Sequence, residues 1–143
     1  PGTLLEKMAP WTRPSFDVLE DYYTPKEITT MIEEGIIEVA PLAYMRGRTF
    51  KEAFIIADEM QNATPSQMKM LLTRIGVGSR IVVTGDLAQH DRGFDNNGLK
   101  DFMFLLKKTD TQRIGFTEFN RCDVERHPAV SEVLSIYGDE SIN

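Results

Sequence analysis

A single cysteine, Cys122, leaves no partner for a disulfide inside the chain, which removes the small secreted scaffolds built on such bridges and fits a reducing compartment. Two isolated histidines, His90 and His127, do not combine with that cysteine into a zinc site at usual ligand spacings. No apolar run approaches the ~18 residues of a membrane span, and the start lacks a signal-peptide pattern. The resulting expectation is a soluble, cytoplasmic protein with no membrane contact. An initiator methionine is also missing, since the chain begins at Pro1, so the true amino terminus is expected upstream. Finally, no Gly-Lys-Ser or Gly-Lys-Thr occurs, so the usual end of a phosphate-binding loop is absent.

The 143 residues present suffice for one domain with a buried core. Sixteen Lys and Arg against 22 Asp and Glu give a net charge of −6, unlike the broad basic footprint of a protein living on nucleic acid. The charge is uneven. Residues 1–40 hold three basic and eight acidic groups, residues 41–100 eight and six, and residues 101–143 five and eight. Only the middle segment is net basic, which suits an anionic ligand or a solvated basic face.

Three prolines around Trp11 predict an extended lead-in over 1–14, and Phe16, Leu19 and Tyr23 a short helix over 15–23. Thr24-Pro25-Lys26-Glu27 reads as a capping box opening a helix over 25–34, closed by Gly35. Ile36 to Val39 is strand-like. Residues 40–53 form a loop carrying Arg46, Arg48 and Lys51 around Gly47, either a phosphate or nucleic-acid contact or a surface loop that happens to be basic. A strand over 54–58 leads to a second capping box, Thr64-Pro65-Ser66-Gln67, and a helix whose core face is Met68, Leu71, Leu72 and Ile75. A strand over 80–84 follows, and so short a crossover requires a parallel pair. Beyond a Gly-punctuated loop come a helix at 97–108, an alternating strand at 113–119 and a helix opened by His127-Pro128.

Both central strands run apolar and then stop at charge. Phe54-Ile55-Ile56-Ala57 ends in Asp58-Glu59-Met60-Gln61, and Ile81-Val82-Val83 ends in Thr84-Gly85-Asp86, with Gln89 beyond. Carboxyl ends of parallel strands are where open α/β sheets bind ligands. Adjacent acids can divide the labour there. Asp58 can hold a hydrated Mg²⁺ and Glu59 can deprotonate an attacking water, while Gln61 and Gln89 sense a phosphate oxygen or position that water. The competing readings are a solvated acid pair at a helix start, or a metal hydrolase using His90, Asp91 and Asp86. Gly93 to Asp101 has glycine spacing but no Lys-hydroxyl pair, and reads as a turn into a helix.

These strand ends, with Gln67 to Arg74, Pro41 to Thr49, and Arg126-His127-Pro128 with Val130, resemble the PhoH-like ATPases, a phosphate-starvation-inducible group related to superfamily 1 helicases. The resemblance covers nearly the whole chain. It departs from the usual pattern at Met60, where a small residue is common, and at His90 and residues 93–98. It implies an α/β fold, a three-layer αβα P-loop NTPase (RecA-like) core with a mostly parallel sheet, incomplete at its amino-terminal side. Residues 1–143 would be one domain, the carboxy-terminal part of the ATPase domain. Asp58 and Glu59 would be the Walker B pair completed by Gln61, Asp86 and Gln89 would sense the γ-phosphate, and Arg126 would reach nucleotide, from a neighbouring subunit if the protein forms a homo-oligomeric ring. Arg46 and Arg48 would be nucleotide contacts.

The implied activity of the intact protein is Mg²⁺-dependent hydrolysis of ATP, coupled to RNA or single-stranded nucleic acid. The alternatives are a nucleotide-gated binding or assembly module with slow or no hydrolysis, and an inactive remnant. The family's phosphate-binding loop precedes the region that begins at Pro1, so this chain alone is expected neither to bind ATP tightly nor to hydrolyse it, and to be marginally stable.

Overall fold

The computed structural model describes residues 4–87 and 96–138. Helices α1 (Leu4–Glu20) and α2 (Pro25–Glu33) come first, then strand β1 (Phe54–Ala57), helix α3 (Pro65–Leu72), strand β2 (Arg80–Val83), helix α4 (Gly98–Leu106) and helix α5 (Pro128–Tyr137). The chain divides into two compact units that meet in sequence between Lys108 and Thr109. Among the described residues, no helix is long and apolar enough to cross a membrane.

The first unit is a mixed α/β arrangement around a small parallel sheet. β1 and β2 pair in parallel from Phe54 opposite Arg80 to Ala57 opposite Val83, with α3 as the crossover between them. Helix α3 starts where the sequence places it. The Thr64 hydroxyl accepts from Gln67 N at 3.2 Å, the Gln67 side chain accepts from Thr64 N at 2.9 Å, and Pro65 gives up only an amide that a helix start leaves unpaired. The equivalent box at Thr24 and Glu27 opens α2. Asn97 caps α4 by accepting from Lys100 N at 3.0 Å.

Ala57, Met60, Ala63, Met68 and Leu71 form the core, with Leu42, Val83, Leu99 and Phe102 packed against it. Met68 and Leu71 therefore act as packing residues, as their helical spacing predicts. One face of the sheet is covered this way. The other bears Phe54, 67% exposed, Ile56, 62% exposed, and Val82.

Four local expectations are corrected. Of the segment expected as an extended lead-in, residues 4–14 lie within α1, which runs through Pro10 and Pro14. Proline normally costs a helix about 3 kcal/mol. Here α1 lies beside α2, with Ala9, Thr12 and Phe16 lining a cavity together with Ile28 and Ile32, and Arg13 pairs with Asp17 at 2.6 Å. Ile36 to Val39 is not a strand, because Ile36 N and Ile37 N both turn back to Met31 O and close α2, with Gly35 at φ 73° making the turn. Helix α3 stops at Leu72, and Ile75 bridges in parallel to Phe50 instead of extending the helical face. Residues 113–119 are irregular, and among the described residues no ladder partner lies beside them.

The second unit, taken by itself, contains this irregular stretch, a 3₁₀ turn at Arg121–Asp123 and α5. His127 caps α5 by accepting from Ala129 N through Nδ1 at 3.2 Å, and Pro128 follows at the first helical position, as expected.

Candidate functional site

The two strand ends lie side by side because Ala57 pairs with Val83, the last residues of their strands. Beyond them the chains stay joined. Thr84 N donates to Ala57 O at 2.9 Å and Met60 N donates to Thr84 O at 3.0 Å. Asp58 and Glu59 are thereby held, both exposed, above a core made of the residues immediately around them.

Asp58 is anchored through one oxygen. Its Oδ1 accepts the Thr84 hydroxyl at 2.5 Å and the Glu59 amide at 2.9 Å, while Oδ2 has no partner among the described residues. A carboxylate fixed at one oxygen and open at the other suits Mg²⁺, which keeps most of its waters and takes one or two carboxylates from a protein. No cluster of three or more His, Cys, Asp or Glu side chains placed to hold a metal occurs among the described residues.

Glu59 adopts φ 57° and ψ 33°, the left-handed region, and caps the 3₁₀ turn Met60–Asn62. A residue with a Cβ pays about 1–3 kcal/mol in such a position, and the surroundings must hold it there. Gln61, only 2% exposed, is part of that support: its Nε2 donates to Glu59 Oε2 at 2.6 Å and its Oε1 accepts from Asp86 N at 3.1 Å. Gly85 is required by the same contact. A Cβ there would lie 2.8 Å from Gln61 Oε1, 3.0 Å from Gln61 N and 2.6 Å from Leu99 Cδ2.

Two strands ending in Asp-Glu and Thr-Gly-Asp, cross-braced in this way, define a recognisable constellation. The family model described as "PhoH-like protein" matches residues 1–138. The chain belongs to the PhoH-like family. It is 46% identical over 138 residues to a PhoH-like protein of Synechocystis, covering 96% of this chain and 42% of that protein. The PhoH-like protein of Bacillus subtilis strain 168 is 45% identical over 143 residues, 99% of this chain and 44% of its own length. Protein PhoH of Escherichia coli K12 is 40% identical over 141 residues, 96% and 39% respectively. This PhoH-like chain thus spans about two-fifths of the length of the curated relatives it matches.

Of the residues singled out from the sequence, Asp58, Glu59, Gln61 and Asp86 come together. Gln89, with His90 and Asp91, lies outside the described residues. Arg46 and Arg48 flank Gly47, which has φ 79°, after a 3₁₀ turn at Leu42–Tyr44. Arg46 is exposed. Arg48 is already engaged: it pairs with both carboxylate oxygens of Glu38, at 2.5 and 2.9 Å, and its guanidinium lies 4.7 Å from the Phe50 ring centre. That hydrogen bonding holds the Glu38 carboxyl below the usual carboxylate range and raises Arg48. Arg126 is exposed in the second unit. The cavity between α1 and α2, about 260 Å³, contains none of these residues.

Thr84 and Gly85, which the reading of the sequence took only as the lead-in to Asp86, contact Asp58 and Gln61. Their signal was a hydroxyl and a glycine directly before the acid that ends β2, and it gains meaning only once Asp58 and Gln61 are known to face them.

Proposed function

We propose that the protein to which this chain belongs is a Mg²⁺-dependent ATP hydrolase built on a RecA-like P-loop core, with Asp58 and Glu59 as its Walker B pair. The observation that carries this reading is the pair of joined parallel strand ends, which hold an Asp with one free oxygen beside a Glu of fixed backbone conformation. Asp58 would hold the hydrated metal, Oδ1 being engaged by Thr84 and the Glu59 amide. When bound, Mg²⁺ supplies charge neutralisation for the phosphates. Glu59 takes the proton of the attacking water, a role that contributes about 10²–10⁴-fold in enzymes that use it. Asp86 and Gln89 respond to the γ-phosphate, Arg46 and Arg126 act on nucleotide, and Arg126 does so across a homo-oligomer. Coupling to RNA or single-stranded nucleic acid completes the reading, which places the protein in the cytoplasm.

The test uses the full-length protein. Wild type should hydrolyse ATP only with Mg²⁺, faster with RNA. Glu59→Gln should lose about 10²-fold or more in kcat while still binding nucleotide, because the amide keeps the shape and loses the base. Retained turnover in Glu59→Gln refutes the assignment of the base. Nucleotide binding without turnover in wild type favours an assembly module gated by ATP.

A further inference from the structure

The Gln61 side chain is buried, although glutamine is a residue normally found at the surface. Its amide has only one orientation that works. Turned over, the NH₂ would face the Asp86 N–H, donor against donor, and the carbonyl would face the Glu59 carboxylate, acceptor against acceptor. The observed orientation satisfies both neighbours. It also leaves no free amide oxygen directed at solvent, so direct contact with a phosphate or an attacking water is not what this geometry provides.

What it provides is a link. One end of the amide holds a carboxylate on the turn after β1, and the other holds the main chain where β2 ends. Met60 N to Thr84 O ties the same two segments through backbone alone, but Gln61 is the tie that reaches the Glu59 carboxylate. Gly85 leaves room for the amide at the end of β2, since a Cβ there would lie 2.8 Å from Gln61 Oε1.

We infer that Gln61 is a positioning residue: it fixes the orientation of the Glu59 carboxylate and couples it to the main-chain conformation at Asp86. A change at the end of β2 is thereby felt at the carboxylate proposed to activate water. This inference rests on the role of Glu59 proposed above. It adds that the base and the segment proposed to respond to the γ-phosphate move together through one side chain.

The experiment uses the full-length protein with Gln61→Met, which removes both hydrogen bonds at similar length, and Gln61→Glu, which keeps an acceptor for Asp86 N–H and loses the donor to Glu59. Without nucleotide, Gln61→Met should speed hydrogen exchange at the Asp86 amide about tenfold, while Gln61→Glu leaves it protected. With ATP, both variants should lower kcat about 10–100-fold at a KM within about threefold of wild type. In a Glu59→Gln background, Gln61→Glu should cause no further loss, since a residue acting through Glu59 has nothing left to position. Wild-type kcat in Gln61→Glu, an additive loss in the Glu59→Gln background, or unchanged Asp86 exchange in Gln61→Met overturns the inference. If Gln61→Met fails to fold, Gln61→Glu decides it alone. A wild-type protein without turnover refutes the proposed function, and the exchange measurement then still decides whether Gln61 links the two strand ends.

Discussion

Replacing Gly98 by alanine should destabilise the protein, although glycine to alanine inside a helix ordinarily stabilises by about 1 kcal/mol. Gly98 is the first residue of α4, and its N–H donates to Ala63 O at 2.7 Å. A Cβ at this position would overlap the Thr64 carbonyl oxygen and lie 2.6 Å from the Thr64 carbonyl carbon and 2.9 Å from Pro65 N. All three atoms are main chain, and they begin α3 under a satisfied capping box, so none can rotate aside. Forcing a methyl into such a contact costs about 1–3 kcal/mol, and separating the helices to relieve it also weakens the Gly98–Ala63 hydrogen bond. The clash alone leaves about 0–2 kcal/mol after the propensity gain, and weakening a hydrogen bond worth about 1 kcal/mol brings the net loss to about 1–3 kcal/mol. At about 2–4 °C per kcal/mol for a domain of 150–250 residues, Tm should fall by several degrees. Gly115 supplies the control, because a Cβ there meets nothing within 4 Å; the same substitution should leave Tm unchanged or slightly raised. Thermal unfolding of full-length Gly98→Ala and Gly115→Ala measures the difference. Equal Tm values would refute the claim that α4 docks against the start of α3 by main-chain contact.

Thr84→Val keeps the shape of the side chain and removes the donor to Asp58 Oδ1, so the Mg²⁺ concentration for half-maximal turnover should rise about tenfold, whereas Thr84→Ser should restore it. An unchanged Mg²⁺ dependence would show that Thr84 does not orient Asp58. The Glu38–Arg48 pair gives a pH prediction. Arg48 lowers the Glu38 carboxyl, so the pair's contribution is fully present above the ordinary carboxylate pKa and is lost as pH falls through the lowered value. The side chains are 55% and 38% exposed, which limits the contribution to about 0–1 kcal/mol, so NMR titration of Glu38 is a better measurement than stability. Arg48→Ala should return Glu38 to the ordinary range; no change would refute the pairing.

The parts legible in the sequence were those decided within a few residues or by the periodicity of one element. The capping boxes at Thr24 and Thr64 and the His127-Pro128 start are local hydrogen-bond patterns, and the structure keeps each one. The parallel pairing of β1 and β2 followed from the length of the crossover. What the sequence concealed is non-local. Helix α1 continues through two prolines beside α2, the amides of Ile36 and Ile37 are consumed by Met31, and residues 113–119 alternate like a strand yet belong to no sheet among the described residues. The same holds within the site. Asp58 and Glu59 stood out as an acid pair after an apolar run, but the anchoring hydroxyl comes from Thr84, 26 residues away, and the link from Gln61 ends on the Asp86 amide, 25 residues on. Neither spacing has a periodicity to betray it.

The left-handed backbone at Glu59 sets thermal robustness against the proposed catalytic carboxylate at a single position. Glycine there would relax the φ angle, and asparagine would tolerate it better than glutamate, so a selection for heat resistance favours discarding the carboxylate. A thermostable variant chosen without an activity screen would then have lost the carboxylate proposed above as the base, and position 59 is one to hold fixed in any stabilisation campaign.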